Sequence, residues 1–229
     1  NAVDAGVVAV IAAGNSGPGV SSILAPADSE SAITVGAVND NNTVTILDDF
    51  VWNHSSRGPS LIGRLDPELV APGYEIESTK MGGNYELNTG TSMAAPFVSG
   101  GAALLLEMYP SLTPSQVRAI LLQSAAYING KVFAKGAGEL DLKNALTGRV
   151  YAFINQTDTY NRNIVNDRWE FVAFPSVTAR ANITIFNDND YNVSFDVSIE
   201  DIISMENNDL QLNKSQLGLS SGIIIENNS

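Results

Sequence analysis

The sequence predicts an α/β domain built on a parallel sheet and followed by a separate β-rich module, and three observations carry that prediction. Residues 7–13 (VVAVIAA) and 32–38 (AITVGAV) are continuous, largely apolar and β-branched runs. That is the pattern of strands covered on both faces, as in a parallel sheet flanked by helices. Two helical stretches follow these runs, an apolar one over 92–108 and an amphipathic one over 114–125. After Gly148 alanine becomes scarce, and Asn, Asp, Thr and aromatic residues alternate along the chain, which marks a boundary between residues 1–149 and 150–229.

Taken in order, residues 1–6 read as a helix-like start that leads straight into the first strand, as though the sequence were cut from a longer protein. The first strand ends in a glycine-rich loop, 14–19. The second covers 32–38 and a third lies around 69–71, with turn signals at 39–42 and at Gly58-Pro59. The helix over 92–108 is rich in Ala and Gly, so it is expected to be buried all round. The helix from Pro114 has Thr113 as N-cap, Pro114 at its first position and Gln116 completing a capping box, with Val117, Ile120 and Leu121 as its apolar stripe. A last helical turn is expected over 140–146. In the second region, 180–186 and 192–199 alternate apolar and polar positions on either side of a turn-rich 187–190, which predicts a β-hairpin in a sandwich-like module left incomplete at Ser229.

Composition narrows the function. Twenty-five acidic against twelve basic residues give a net charge of −13, which argues against nucleic acid or an anionic membrane as partner. With no cysteine there is neither a disulfide framework nor thiol chemistry. The longest apolar stretches, such as 6–13 and 102–106, fall far short of a membrane span.

Residues 88–101, NTGTSMAAPFVSGG, carry the most specific chemistry. Glycine permits a close approach, and a serine at a helix amino terminus lies beside unpaired N–H groups that favour a developing negative charge. An isolated serine there would simply be an N-cap. This segment, however, closely resembles the GTSMAxPHVxG nucleophile motif of the subtilase family (peptidase S8). The resemblance implies a serine endopeptidase acting through an acyl-enzyme on Ser92. Where the family has His, this chain has Phe97, at a position that is structural in the family, so the change bears on packing.

Residues 7–17, VVAVIAAGNSG, resemble the family segment that presents an oxyanion-hole asparagine, here Asn15. An amide fixed at a strand end supplies the donor that a tetrahedral oxyanion needs, whereas a lone asparagine in a glycine-rich loop would be read as a turn residue. HSSRGPS at 54–60, DPELVAPG at 66–73 and GAGELDLKNAL at 136–146 are similar to the family's FSSRGP, KPDLVAPG and GAGLVD segments. The resemblance covers residues 1–149 and is closest in character to pyrolysin-like and cell-envelope members, in which a fibronectin-like module follows the protease. It implies the C-terminal part of a subtilisin-like three-layer domain. Ala13, Gly14 and Leu24 are the implied substrate-binding residues, with Leu24 near the base of a shallow pocket for small or medium side chains.

Family members order their triad Asp, His, Ser, and neither the Asp nor the His motif is present. His54 stands where the family has Phe, and Asp4 belongs to the opening turn, so neither is given a catalytic role. Ser92 without a general base is a weak nucleophile, and this chain by itself is expected to be inactive. No cofactor is needed for the chemistry. The acidic clusters at 48–49 and 188–190 lack full calcium-ligand spacing and read as solvated turns. Sequons at Asn41, Asn53, Asn155, Asn182, Asn192, Asn213 and Asn227 would fit a secreted or cell-surface protein. Two rivals are a catalytically inactive relative serving as a binding module and a nucleotide-binding domain. Gly14, Gly17 and Gly19 have the wrong spacing for the second.

Overall fold

The computed structural model describes residues 2–61 and 63–148 and, beyond them, strands at 150–157, 163–166, 181–187, 193–195 and 223–225. Residues 2–6 form turns in place of the expected helix-like start. Gly6 has φ 91° and donates from its N–H to Val3, and Val7 donates to Ala2, the bond pair with which helices commonly terminate.

Strand β2 (Ile33–Asn39) lies at the centre of the sheet and is buried from Ile33 to Val38. Strands β1 (Val10–Ala12) and β4 (Leu69–Pro72) flank it on opposite edges in parallel, whereas β3 (Phe50–Val51) adds antiparallel at the end of β2. The sheet is therefore mixed rather than wholly parallel. The expected double coverage holds for β2 but not for β1, which has β2 on one side and is only half-buried. A hairpin of β5 (Ile76–Lys80) and β6 (Asn84–Asn88) then leads to the long helix α1 (Thr91–Met108).

Helix α1 packs one stripe, Ala94, Val98, Ala102 and Leu105, into the main core beside Ile33, Val35, Leu69 and Ala71. Gly101 lies on this face, where a Cβ would come within 2.5 Å of the end of the Leu142 side chain and displace it. The expected burial all round is not observed. Phe97, Leu104 and Met108 are 40, 42 and 52% exposed, because the described elements pack against one side of the helix.

Helix α2 (Pro114–Gln123) carries the predicted capping box, with Thr113 N–H donating to Gln116 Oε1 at 2.8 Å and Gln116 N–H to Thr113 Oγ1 at 3.3 Å. A short helix α3 (Val132–Lys135) follows. Helix α4 (Leu142–Gly148) starts two residues later than expected. Leu140 N–H is engaged by the Val70 carbonyl, and Asp141 accepts from Asn144 N–H, so Asp141 caps a helix that cannot start earlier. Beneath these elements the Glu68 carboxylate accepts from Thr34 N–H, Arg64 and Arg118, which pairs a buried charge across three segments.

The core extends past the change in composition. Tyr151 of β7 (Val150–Thr157) is buried in it and accepts from Gln116 Nε2 at 3.1 Å. Strand β7 pairs antiparallel with β8 (Asn163–Asn166) and β9 (Ala181–Asn187), while β10 (Val193–Phe195) pairs with β11 (Ile223–Ile225). Among the described residues β9 pairs with β7 and β10 with β11, and the expected pairing of β9 with β10 is not seen. The remainder of the expected sandwich lies outside the described residues. Among the described residues, no helix is long and apolar enough to cross a membrane.

Asp49 and Glu139 meet in a cavity of about 490 Å³ that Asp40, Phe97 and Asp141 also line. Both carboxyls are buried, and no three metal-ligating side chains converge among the described residues. Burial, the hydrogen bond to Asp49 and the charges of Asp49 and Asp40 push Glu139 up to about 8, and burial likewise raises Asp49. Because the folded state holds this proton more tightly than the unfolded chain, whose glutamates titrate near 4.5, the contribution to stability is complete below about pH 4.5 and is lost as pH rises through about 8. Glu139→Gln in the full-length protein should therefore gain on the native protein between pH 5 and 8.5, by about 1 kcal/mol or more, roughly 2–4 °C in Tm. A Tm difference that stays constant with pH in thermal melts would refute this.

Candidate active site

The loop after β1 and the start of α1 meet at Asn15, and the geometry follows from a few donors and acceptors. Thr91 donates to Asn15 Oδ1 twice, from its backbone N–H and from its hydroxyl, each at 3.0 Å. A backbone N–H can only donate, so the atom facing it must be the carboxamide oxygen, and Nδ2 is left on the opposite side. The Thr91 hydroxyl in turn accepts from Gly14 N–H at 3.1 Å. Residues 76 and 77 positions apart are thereby fixed to one another.

Gly90 is the N-cap of α1 and has φ 153°, in a region that side chains rarely adopt. A Cβ there would approach Asn15 Nδ2 to 3.1 Å. Ser92, one position past Thr91, is exposed. It is not the cap, so the simple N-cap reading of this serine does not apply. First-turn N–H groups have no intrahelical acceptor. Here Thr91 N–H goes to Asn15 and Met93 N–H to the Gly90 carbonyl, which leaves Ser92 N–H as the first-turn donor beside the exposed hydroxyl.

A second segment braces the loop from below. Gly17 N–H donates to the His54 carbonyl at 2.9 Å, and Ser56 N–H to the Gly14 carbonyl at 2.9 Å. The Ser56 hydroxyl accepts from Ser16 N–H at 3.1 Å. Gly17 has no room for a side chain, since a Cβ would lie 2.1 Å from the Ser55 carbonyl oxygen.

Of the sequence-predicted residues, Ser92, Asn15 and Gly14 come together at this junction. The Ala13 side chain is 2% exposed and turns away into a small cluster with Ile23 and Ala27, so only its backbone can face a ligand. Leu24 is 57% exposed beside the buried anchor Ile23. His54 lies against Trp52, with ring centroids 5.0 Å apart, and takes part here only through its carbonyl. Thr91 and Ser56 were not singled out from the sequence. Both sit inside recognisable motifs, but their partners are distant in the chain.

The model of the subtilase family of peptidases matches residues 1–166. The chain is a subtilase. It is 39% identical over 160 residues to the serine protease AprX of Bacillus subtilis (strain 168), a match covering 63% of this chain and 36% of the relative. Subtilisin E of the same strain is 40% identical over 146 residues, covering 63% and 35%. Among solved structures, the S41 psychrophilic protease superposes with a TM-score of 0.56 at 33% identity, and sphericase with 0.55 at 32%. Each match covers 62% of this chain and 50% of the other. The chain thus spans about a third of the length of these curated relatives, and its α/β fold with a mixed sheet is subtilisin-like.

Proposed function

We propose that the full-length protein is a serine endopeptidase whose nucleophile is Ser92 and whose oxyanion donors are Asn15 Nδ2 and the Ser92 N–H. The observation that carries this reading is the double hydrogen bond from Thr91 to Asn15 Oδ1, which leaves the amide nitrogen free of Thr91 and beside Gly90, at the start of the helix that bears Ser92. Ser92 Oγ attacks the peptide carbonyl carbon while a histidine outside this chain removes its proton, and the carbonyl oxygen becomes an oxyanion held by the two N–H donors. Collapse expels the amine, which takes the proton from that histidine and leaves an ester on Oγ. Water then hydrolyses the ester by the same steps. An aspartate, also outside this chain, orients the histidine.

The same reading extends to substrate and setting. Substrates are proteins or peptides, and the primary pocket, with Ala13, Gly14 and Leu24 as its substrate-binding residues, takes small or medium side chains. Export is supported by the sequons, of which Asn41 is exposed in a turn at φ 50°. Treating the full-length protein with a fluorophosphonate should leave one covalent adduct, located on Ser92 by peptide mass spectrometry, with loss of proteolysis in proportion. A fully folded protein that takes no adduct and cleaves no peptide would be the inactive binding module instead.

A further inference from the structure

We infer that Ser56 is a positioning residue for the oxyanion donor, an inference that rests on the proposed role of Asn15. Ser56 is fully buried and grips both chain neighbours of Asn15. Its hydroxyl accepts from Ser16 N–H at 3.1 Å on one side, and its own N–H donates to the Gly14 carbonyl at 2.9 Å on the other. Gly14 rests directly against it: with φ 100°, a Cβ on Gly14 would come within 3.0 Å of Ser56 Oγ. Thr91 fixes the orientation of the Asn15 carboxamide and holds the backbone on the Gly14 side only, through Gly14 N–H. Ser56 holds the backbone on both sides of Asn15, from a segment 40 residues away. An amide that must lie within a few tenths of an ångström of a transient oxyanion is sensitive to such a support.

Ser55 provides the control. It is equally buried, but its hydroxyl accepts from Ala37 N–H in the sheet at 3.0 Å and makes no hydrogen bond to the 14–16 backbone. Removing the Ser55 hydroxyl strands a fully buried N–H and removing the Ser56 hydroxyl a partly buried one, so a purely structural role would make Ser55→Ala at least as damaging as Ser56→Ala.

In the full-length protein, Ser56→Ala should lower kcat about tenfold with KM unchanged, while Ser55→Ala leaves kcat at the native level. In an Asn15→Ala background, Ser56→Ala should lower kcat no further, because the donor it positions is already gone. If Ser56→Ala accumulates poorly, Ser56→Cys keeps the volume with a weaker acceptor and should show the same pattern in smaller measure. Native kcat in folded Ser56→Ala or Ser56→Cys, or an undiminished tenfold loss on top of Asn15→Ala, overturns the positioning role and leaves the Asn15 reading intact. If Asn15→Ala is itself without effect, the Asn15 reading fails, and this inference with it.

Discussion

Replacing Ser92 by alanine in the full-length protein is expected to reduce kcat for peptide hydrolysis by about 10⁶-fold, the scale known for loss of the nucleophile in subtilisin, a relative of this chain. The residual rate would come from substrate binding and the oxyanion donors acting on water. Stability should barely change. Ser92 is exposed, alanine is the better helix former, and the cap of α1 is Gly90, with no side-chain capping bond to lose. A serine that mattered as an N-cap would behave in the opposite way, costing about 1 kcal/mol of stability and no activity. Thermal melts and steady-state kinetics on the same preparation separate the two. Native proteolysis in the folded Ser92→Ala protein would end the assignment.

The second large effect is at Asn15. Asn15→Ala should reduce kcat by about 10²–10³ with KM little changed, because the donor acts on charge that exists only in the transition state; the range is the one known for this donor in subtilisin. The variant also deprives the buried Thr91 N–H and hydroxyl of their acceptor, so a stability loss of roughly 1–3 kcal/mol is expected alongside. Asn15→Asp separates the two consequences. A carboxylate keeps an oxygen for Thr91 and preserves stability, but it presents negative charge where the amide N–H was. Its kcat should fall at least as far as that of Asn15→Ala while its Tm stays close to native. A catalytically competent Asn15→Asp protein would remove Asn15 from the oxyanion site.

The two assignments differ in how legible they were. Ser92 is marked by a long contiguous motif, because a nucleophile at a helix start needs small, permissive residues immediately around it. Asn15 is marked by the strand and glycines that present it. What orients Asn15 was not legible, since Thr91 lies 76 residues away and its hydroxyl acquires two partners only when the β1 loop and α1 are brought together. Ser55 and Ser56 are alike in sequence, yet one hydroxyl serves the sheet and its neighbour serves the loop after β1. Ser55 closes a turn in which its N–H donates to the Trp52 carbonyl, and only packing decides which of the two hydroxyls meets the β1 loop.

Local physics set the capping box of α2, the buried central strand and the helix that bears Ser92, because each depends on residues within a few positions of one another. Tertiary structure alone decided the rest. It buried one face of α1 rather than all of it and set the start of α4 by giving Leu140 N–H to Val70. It paired β9 with β7 and turned two acidic residues ninety positions apart, Asp49 and Glu139, into one buried pair. Such outcomes hang on which distant groups share a desolvated space. The sequence by itself thus determined which residues are candidates for chemistry here, and the fold determined what each of them touches.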